Sequence, residues 1–228
     1  MIINRVEFKY IVPYEHISPL IADLNSITYS DPNCPKNTKY KVSSTYLDTP
    51  DLSFHKMRLS GHPNGYRIRL RTYATASNPE DILRYQLDIK AKREINYKES
   101  TAISAKLYDY ISRNTQVTSS DIIDEHDLNV FQKIRSFGAI PVSKIDYERS
   151  AFFASNHSNI RITLDSSIIC SKPKELMQLP LLENYGHLLE VKNSHVNQCP
   201  FWIEALIKKY HLKKISFSKQ KKALNLLY

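Results

Sequence analysis

The chain has 228 residues, 42 % of them hydrophobic and 24 % charged, an ordinary globular mix in a chain long enough to bury a core without disulfide or metal staples. Its 32 lysines and arginines outnumber 23 acids, a formal charge of +9, so an anionic partner is expected: nucleic acid, an acidic membrane face or a phosphate chain. The four glycines, Gly61, Gly65, Gly138 and Gly186, exclude a Walker-type loop and a GxGxxG turn, which need several glycines close together.

In chain order, a strand is expected over 4–12, a helix near 14–25 and a loop over 30–37. Strands follow at 40–48 and 66–73, a loop over 75–81, and strands at 84–93 and 95–99. Helices are expected near 101–113 and 127–136, then strands at 142–154, 159–168 and 187–193, and helices near 201–210 and 217–227. Ser100 is placed to cap the first of the later helices and Pro200 to start another. Sequential strands with helices inserted between them indicate an α+β fold with a largely antiparallel sheet, the whole chain 1–228 forming one domain. Cys34, Cys170 and Cys199 are too scattered for a zinc pattern and read as reduced thiols. The start of the chain lacks the apolar stretch of a signal peptide. No segment approaches the roughly 18 apolar residues of a membrane span. A soluble, cytoplasmic protein is the expectation.

Charge alternates with period two inside the strands. Arg67, Arg69 and Arg71 share one face of their strand while Ile68 and Leu70 share the other. The corresponding polar faces elsewhere carry Glu7 and Lys9; Asp88, Lys90 and Lys92; Tyr147 and Arg149; Arg161, Thr163 and Asp165; and Glu190 and Lys192. One such strand is ordinarily half-buried with its charges in water. Six of them, mostly basic, would repel one another unless a polyanion sits among them. A closed or nearly closed antiparallel barrel satisfies this, with a charged lumen and apolar outer faces covered by helices. Nucleic acid is the rival polyanion, but no helix-turn-helix, KH or RNP pattern is present. A basic face with few aromatics suits bare phosphate better than stacked bases.

The same segments carry a family resemblance. Arg5 to Tyr10 resembles the opening ExK motif of the CYTH-like triphosphate tunnel superfamily. Ser44 to Leu52 is similar to the second strand and turn of the vacuolar transporter chaperone (VTC) domain. Arg69-Leu70-Arg71-Thr72-Tyr73 resembles that domain's RxRTY strand, and Leu87 to Lys92 its acid-x-Lys-x-Lys strand, with Asp88 where a glutamate is expected. Tyr147-Glu148-Arg149, Arg161 to Asp165, Leu189 to Lys192 and Ser216 to Lys219 complete a match running from about residue 4 to 225.

The resemblance implies a tunnel of about eight strands that binds ATP and inorganic polyphosphate or triphosphate through lumenal cations. It implies a divalent metal, Mg²⁺ or Mn²⁺, on a lumenal glutamate, and transfer of the γ-phosphate of ATP to a polyphosphate chain. No specific nucleic acid and no membrane span are expected. Phosphoryl transfer asks for positioning and charge neutralisation, which arginine forks provide. The candidate catalytic residues are Arg69, Arg71, Lys90, Arg149 and Arg161. Candidate phosphate binders are Lys9, Arg67, Lys92, Tyr147, Lys192 and Lys219, and the metal candidates are Glu190 with Glu7 in support. A triphosphatase on the same scaffold is the first alternative, disfavoured by the few lumenal acids; a non-catalytic polyphosphate- or nucleotide-binding module is the second.

Overall fold

The computed structural model describes residues 6–30, 39–62, 65–75, 78, 80–91, 97–113, 124–154, 157–182, 186–193 and 199–228. Lys92 and Cys34 lie outside the described residues, as does most of the expected 30–37 loop.

Alternating strands build one antiparallel sheet. Its long members are β1 (Val6–Val12), β3 (Tyr40–Asp48), β4 (Tyr66–Thr75), β5 (Ile82–Ala91), β6 (Tyr97–Ala102), β7 (Ile140–Ala154), β8 (His157–Ser171) and β10 (His187–Asn193). Three stubs of two or three residues join them: β2 (Thr28–Ser30), β9 (Leu179–Pro180) and β11 (Lys213–Lys214). The strand order is β11-β1-β10-β8-β7-β3-β4-β5-β6, with β2 on β7 and β9 on β8. Among the described residues the sheet has eleven strands, eight long and three stubs, against the expected eight or so. Of the expected closed or nearly closed barrel, closure by hydrogen bonds is not seen, since the edge strands β6 and β11 are not paired with each other. Strand β11 offers just two residues, Lys213 and Lys214, which are used on β1, too short a run to bridge to another edge.

Each sheet face has its own covering. On the convex face, Ile68 and Leu70 of β4 with Leu87 and Ile89 of β5 pack beneath α3 (Ala105–Arg113) and α4 (Glu125–Ser136) through Leu107, Ile111, Val130 and Ile134. Farther along that face, Val12, Leu189, Val191, Ile162 and Leu164 lie under α1 (Ile17–Ile27) and α5 (Phe201–Lys209) through Leu20, Leu24 and Ile203. The concave face is apolar at one end. There Ile145, Cys170 and Leu188 meet Ala223 of α6 (Lys219–Leu227).

Local chemistry sets the helix starts. Asp124 caps α4, its side chain accepting from Asp127 N, with acids in the first turn and Lys133 and Arg135 in the last, as the helix dipole favours. Ser104, not Ser100, accepts from Leu107 N at 3.0 Å ahead of α3. Pro200 stands at the start of α5 as expected. A helix not expected from the sequence, α2, spans Ser53–Leu59. Buried Asp48 organises it, accepting from the backbone N–H of Phe54 and His55, both at 3.0 Å. Gly186 enters β10 with φ +78°, and a Cβ there would come within 2.1 Å of the Val12 carbonyl oxygen, so a side chain is excluded at this turn. Among the described residues, no helix is long and apolar enough to cross a membrane.

Leu107 is 1 % exposed in the convex-face core. Leu107→Ala should lower unfolding stability by about 2–5 kcal/mol, the usual range for such a truncation, measured by urea titration.

Candidate functional site

Register places the charged residues of β4 and β5 side by side. Arg67 lies opposite Lys90, Arg69 opposite Asp88, Arg71 opposite Gln86 and Tyr73 opposite Arg84. On β6, Lys98 continues the Lys90 row and Ser100 the Asp88 row. Because Ile68 and Leu70 occupy the convex face, these residues line the concave one.

Asp88 is the acid of this wall. Its Oδ2 accepts from Arg69 Nη2 at 2.5 Å and Nε at 3.1 Å, and Arg71 Nη2 stands 3.8 Å away. Its Oδ1 accepts from Gln86 Nε2 at 2.8 Å and Ser100 Oγ at 2.6 Å. Burial opposes ionisation of Asp88, but Arg69, Arg71 and the Ser100 hydrogen bond outweigh it and hold the carboxyl well below its ordinary range. Asp88 is therefore a clamp for Arg69, with both oxygens engaged.

The remaining cations of the wall have less compensation. Among the described residues, Arg67 Nε and Arg71 Nε are buried without a hydrogen-bond partner, a costly state for a guanidinium. Burial, then Arg69, Arg67, Lys98 and Lys192, push Lys90 down to about 8. Burial raises the Tyr46 hydroxyl, but Arg69, Arg67 and Arg71 overcome it and bring the group down to about 8. Arg58 of α2 approaches this region, donating to Gln220 Oε1 of α6 at 2.8 Å. Burial, followed by the charge of Arg67, pushes Arg58 down to about 10. The effect of Lys192 on Lys90, and of Glu7 on Arg67, reflects how the curled sheet turns its β4–β5 and β1–β10 walls toward each other.

The opposite wall is compensated more fully, with three acids standing among its cations. Arg149 forks onto Asp165, Nε to Oδ1 at 2.6 Å and Nη2 to Oδ2 at 2.7 Å. Lys219, at the first turn of α6, reaches Asp165 Oδ2 at 2.6 Å and Glu190 Oε1 at 3.0 Å. Lys192 lies 3.1 Å from Glu190 and Lys9 3.5 Å from it, while Glu7 stands 3.6 Å from Lys192 and 3.7 Å from Lys9. Lys9 also donates to the Phe217 carbonyl at 2.7 Å, tying β1 to the segment that enters α6. Burial disfavours the Asp165 and Glu190 anions. Arg149 and Lys219 nevertheless hold Asp165 low, and Lys219, Lys192, Arg149 and Lys9 hold Glu190 well below the usual carboxylate range. The ring of Tyr147 lies under Arg149 at 5.1 Å and under Lys219 at 5.0 Å.

The described candidates, Lys9, Glu7, Arg67, Arg69, Arg71, Lys90, Tyr147, Arg149, Arg161, Glu190, Lys192 and Lys219, thus share the concave face. No role for Asp165 follows from the sequence; its fork with Arg149 leaves only Nη1 of that arginine outside the pair. Lys98 and Arg84 are likewise absent from the expected set: Lys98 lies on β6, where no charged face is expected, and Arg84 lies four residues before Asp88 on β5. The expectation of few aromatics on this face is corrected: Tyr46, Tyr147, Tyr40 and Tyr73 all line it, Tyr46 opposite Arg69, Tyr40 opposite Arg149, and Tyr73 and Tyr147 flanking Val42. Among the described residues, no three His, Cys, Asp or Glu side chains gather as metal ligands. Both oxygens of Glu190 accept from lysine ammoniums, so a cation beside Glu190 and Glu7 would have to arrive with its own phosphate and water ligands, as Mg²⁺ does when it takes one or two carboxylates.

The family model of the VTC domain matches residues 4–228. The chain belongs to that family. No curated protein matches the chain. Among solved structures, it is similar to the PH1819 protein from Pyrococcus horikoshii OT3 at 13 % identity and TM-score 0.53, with 97 % of this chain and 98 % of that one covered. It is similar also to a putative adenylate cyclase from Vibrio parahaemolyticus at 16 % identity and TM-score 0.53, with 96 % of each chain covered. At these identities the likeness is one of fold.

Two predictions follow from the opposed walls. Removing one member of a buried charge pair leaves the other uncompensated, at a cost of about 3–5 kcal/mol, so Asp165→Asn should lose that much in urea unfolding at pH 7. Because the Asp165 carboxyl is depressed in the folded chain, its contribution is full above its unfolded value of about 3.9 and is lost as pH falls below it. The variant should therefore show a shallower acid limb. For Lys90 the sign is reversed: an anion beside it favours the ammonium and raises a pKa that starts at about 8. At pH 8.5, triphosphate binding should take up more protons in the wild type than in Lys90→Met, measured by calorimetry in buffers of different ionisation enthalpy.

Proposed function

We propose that the protein is a phosphotransferase that moves the γ-phosphate of ATP onto inorganic polyphosphate within this basic channel. The 228 residues act as one domain, in the cytoplasm. The observation that carries the reading is the uneven charge of the two walls. Arg67, Arg69, Arg71, Lys90 and Lys98 line up around Asp88, with two buried guanidinium Nε groups lacking acceptors among the described residues. A triphosphate supplies the missing acceptors and charge. Membership of the VTC domain family supports the same class of ligand.

In this mechanism, Arg67, Arg69 and Arg71 grip non-bridging oxygens along the triphosphate, and Lys90 adds a point charge. Arg69 is held at a fixed angle by Asp88, so it need not reorganise as charge builds on the transferring phosphoryl group. Lys192 and Lys9 guide the acceptor chain. Arg149, held by Asp165, presents Nη1, and Tyr147 backs both Arg149 and Lys219. A terminal phosphate oxygen of the acceptor attacks the γ-phosphorus; the bond from that phosphorus to the β–γ bridging oxygen breaks; ADP leaves with the bonding pair. Glu190 and Glu7 are the residues that would hold Mg²⁺ or Mn²⁺, which would neutralise phosphate charge when bound. Lys9, Lys192 and Lys219 keep Glu190 ionised and ready to do so.

Purified protein given ATP, Mn²⁺ and a short polyphosphate primer should form longer polyphosphate and ADP in equal phosphate equivalents. Arg71→Gln should lower that rate by about two to three orders of magnitude, the scale of losing one preorganised electrostatic contact. Release of inorganic phosphate in place of chain growth would assign the scaffold to hydrolysis. Triphosphate binding with no turnover would make it a binding module.

A further inference from the structure

Beyond Arg71 the concave face changes character. Tyr73 follows on β4, paired across the sheet with Arg84 of β5. Tyr40 faces it from β3, and Arg161 reaches in from β8. Together with Leu83 these residues line a cavity of about 250 Å³. The rings of Tyr40 and Tyr73 are 6.1 Å apart and inclined by 47°. Tyr40 is 5 % exposed and Leu83 58 %, with Tyr73 half-buried, so the apolar lining runs from the interior to solvent. The cavity is coupled to the phosphate wall, since Arg71 Nη1 donates to the Tyr73 hydroxyl at 2.8 Å. On its other side Arg161 Nη2 donates to the Tyr40 hydroxyl at 3.4 Å.

We propose that this cavity is the nucleobase site of the channel, with Tyr73 and Leu83 as its apolar walls and Arg84 and Arg161 as donors to the base and ribose. The inference rests on the triphosphate reading of the β4–β5 wall and adds the half of the substrate that reading leaves unplaced. Three features point to a base. The lining is aromatic and aliphatic where the rest of the wall is ionic, and every base has a face that stacks on such a surface. Among the described residues no acid lines the cavity, so it suits a ligand rich in acceptors, as ring nitrogens, carbonyl groups and ribose oxygens are. Its volume falls below the roughly 300–1,000 Å³ of sites that enclose drug-sized ligands, a fit for one base at the mouth of a channel that holds the phosphates farther in. A further stretch of phosphate would gain from the two arginines but nothing from the apolar rings between them. Stacking is tolerant of base identity, since every base has a π-face, so the aromatic wall should accept different nucleobases.

The test compares ATP with inorganic tripolyphosphate by titration calorimetry on the full chain. Tyr73→Leu should weaken ATP by about tenfold, within the range for loss of one base-stacking ring, and leave tripolyphosphate within about twofold. Tyr73→Phe also loses the hydroxyl to Arg71 but keeps the ring, so it should retain the wild-type affinity ratio of the two ligands. Leu83→Ser, at an exposed position where folding is not at risk, should weaken ATP alone by about threefold. Equal losses for both ligands in Tyr73→Leu, or ATP affinity unchanged in both Tyr73→Leu and Leu83→Ser, would overturn the base site while leaving the phosphate wall intact. Failure of wild-type protein to bind either ligand would overturn both.

Discussion

Mutual repulsion among cations on one concave sheet face is the constraint on which the rest of the structure depends. Unit charges a few ångströms apart cost several kcal/mol at the effective dielectric of a protein. The fold meets this cost in two ways. On the β8–β10 side, Asp165 and Glu190 lie inside a ring of Arg149, Lys219, Lys192 and Lys9 with contacts of 2.6–3.5 Å. On the β4–β5 side, Asp88 secures Arg69 and leaves its neighbours under strain visible in the lowered protonation of Lys90 and Tyr46. A sheet under such strain needs support from its outer face, and the two convex cores beneath α1 and α5 and beneath α3 and α4 provide it.

The C-terminal helix belongs to the same balance. Lys219 at its first turn is held by both Asp165 and Glu190, while Ala223, one turn on, enters the apolar end of the concave face. Gln220, between them, takes Arg58 from α2. A helix that fills part of a channel would ordinarily leave its N-terminal dipole among cations, an unfavourable placement. Two buried carboxylates beside Lys219 remove that penalty. They also give α6 a fixed depth, because Lys219 cannot slide without breaking both contacts.

Much of this was legible in the sequence. Period-two alternation assigns a face to every long strand without any knowledge of pairing, which is why Arg67, Arg69, Arg71, Lys90, Arg161 and Lys192 could be gathered in advance. What alternation lacks is register. That Arg69 meets Asp88 and Arg149 meets Asp165 is set by which residues lie opposite one another, and a shift of two residues would preserve every face while changing every partner. Asp165 and Asp88 therefore read as members of a polar face and not as clamps. Helix α2 was hidden for a related reason: its start is fixed by Asp48, which lies in the preceding strand and bonds Phe54 and His55 across a turn. The stubs β2, β9 and β11 are too short to carry a period at all. Tyr147 stands out on its own strand, but the aromatic lining as a whole does not, because Tyr40, Tyr46, Tyr73 and Tyr147 lie on three strands and become one surface only once β3 lies between β4 and β7.

On the proposed function, the division of the channel into a more and a less compensated wall bears on how one protein would handle two polyanions. Were every cation paired with an acid, a phosphate chain would have to break ion pairs to enter, and its charge would return little. Were none paired, the empty channel would carry the full repulsion. With one wall more fully compensated, the groups on it are held in place by their own partners, and those on the other wall are completed by the ligand. A triphosphate on the β4–β5 side then lies across from Glu190 and the lysines around it, so the incoming chain meets cations already positioned by carboxylates. On the proposed function, this asymmetry separates the two tasks: one wall binds the donor through charge the fold leaves open, and the other holds its shape while the acceptor changes in length.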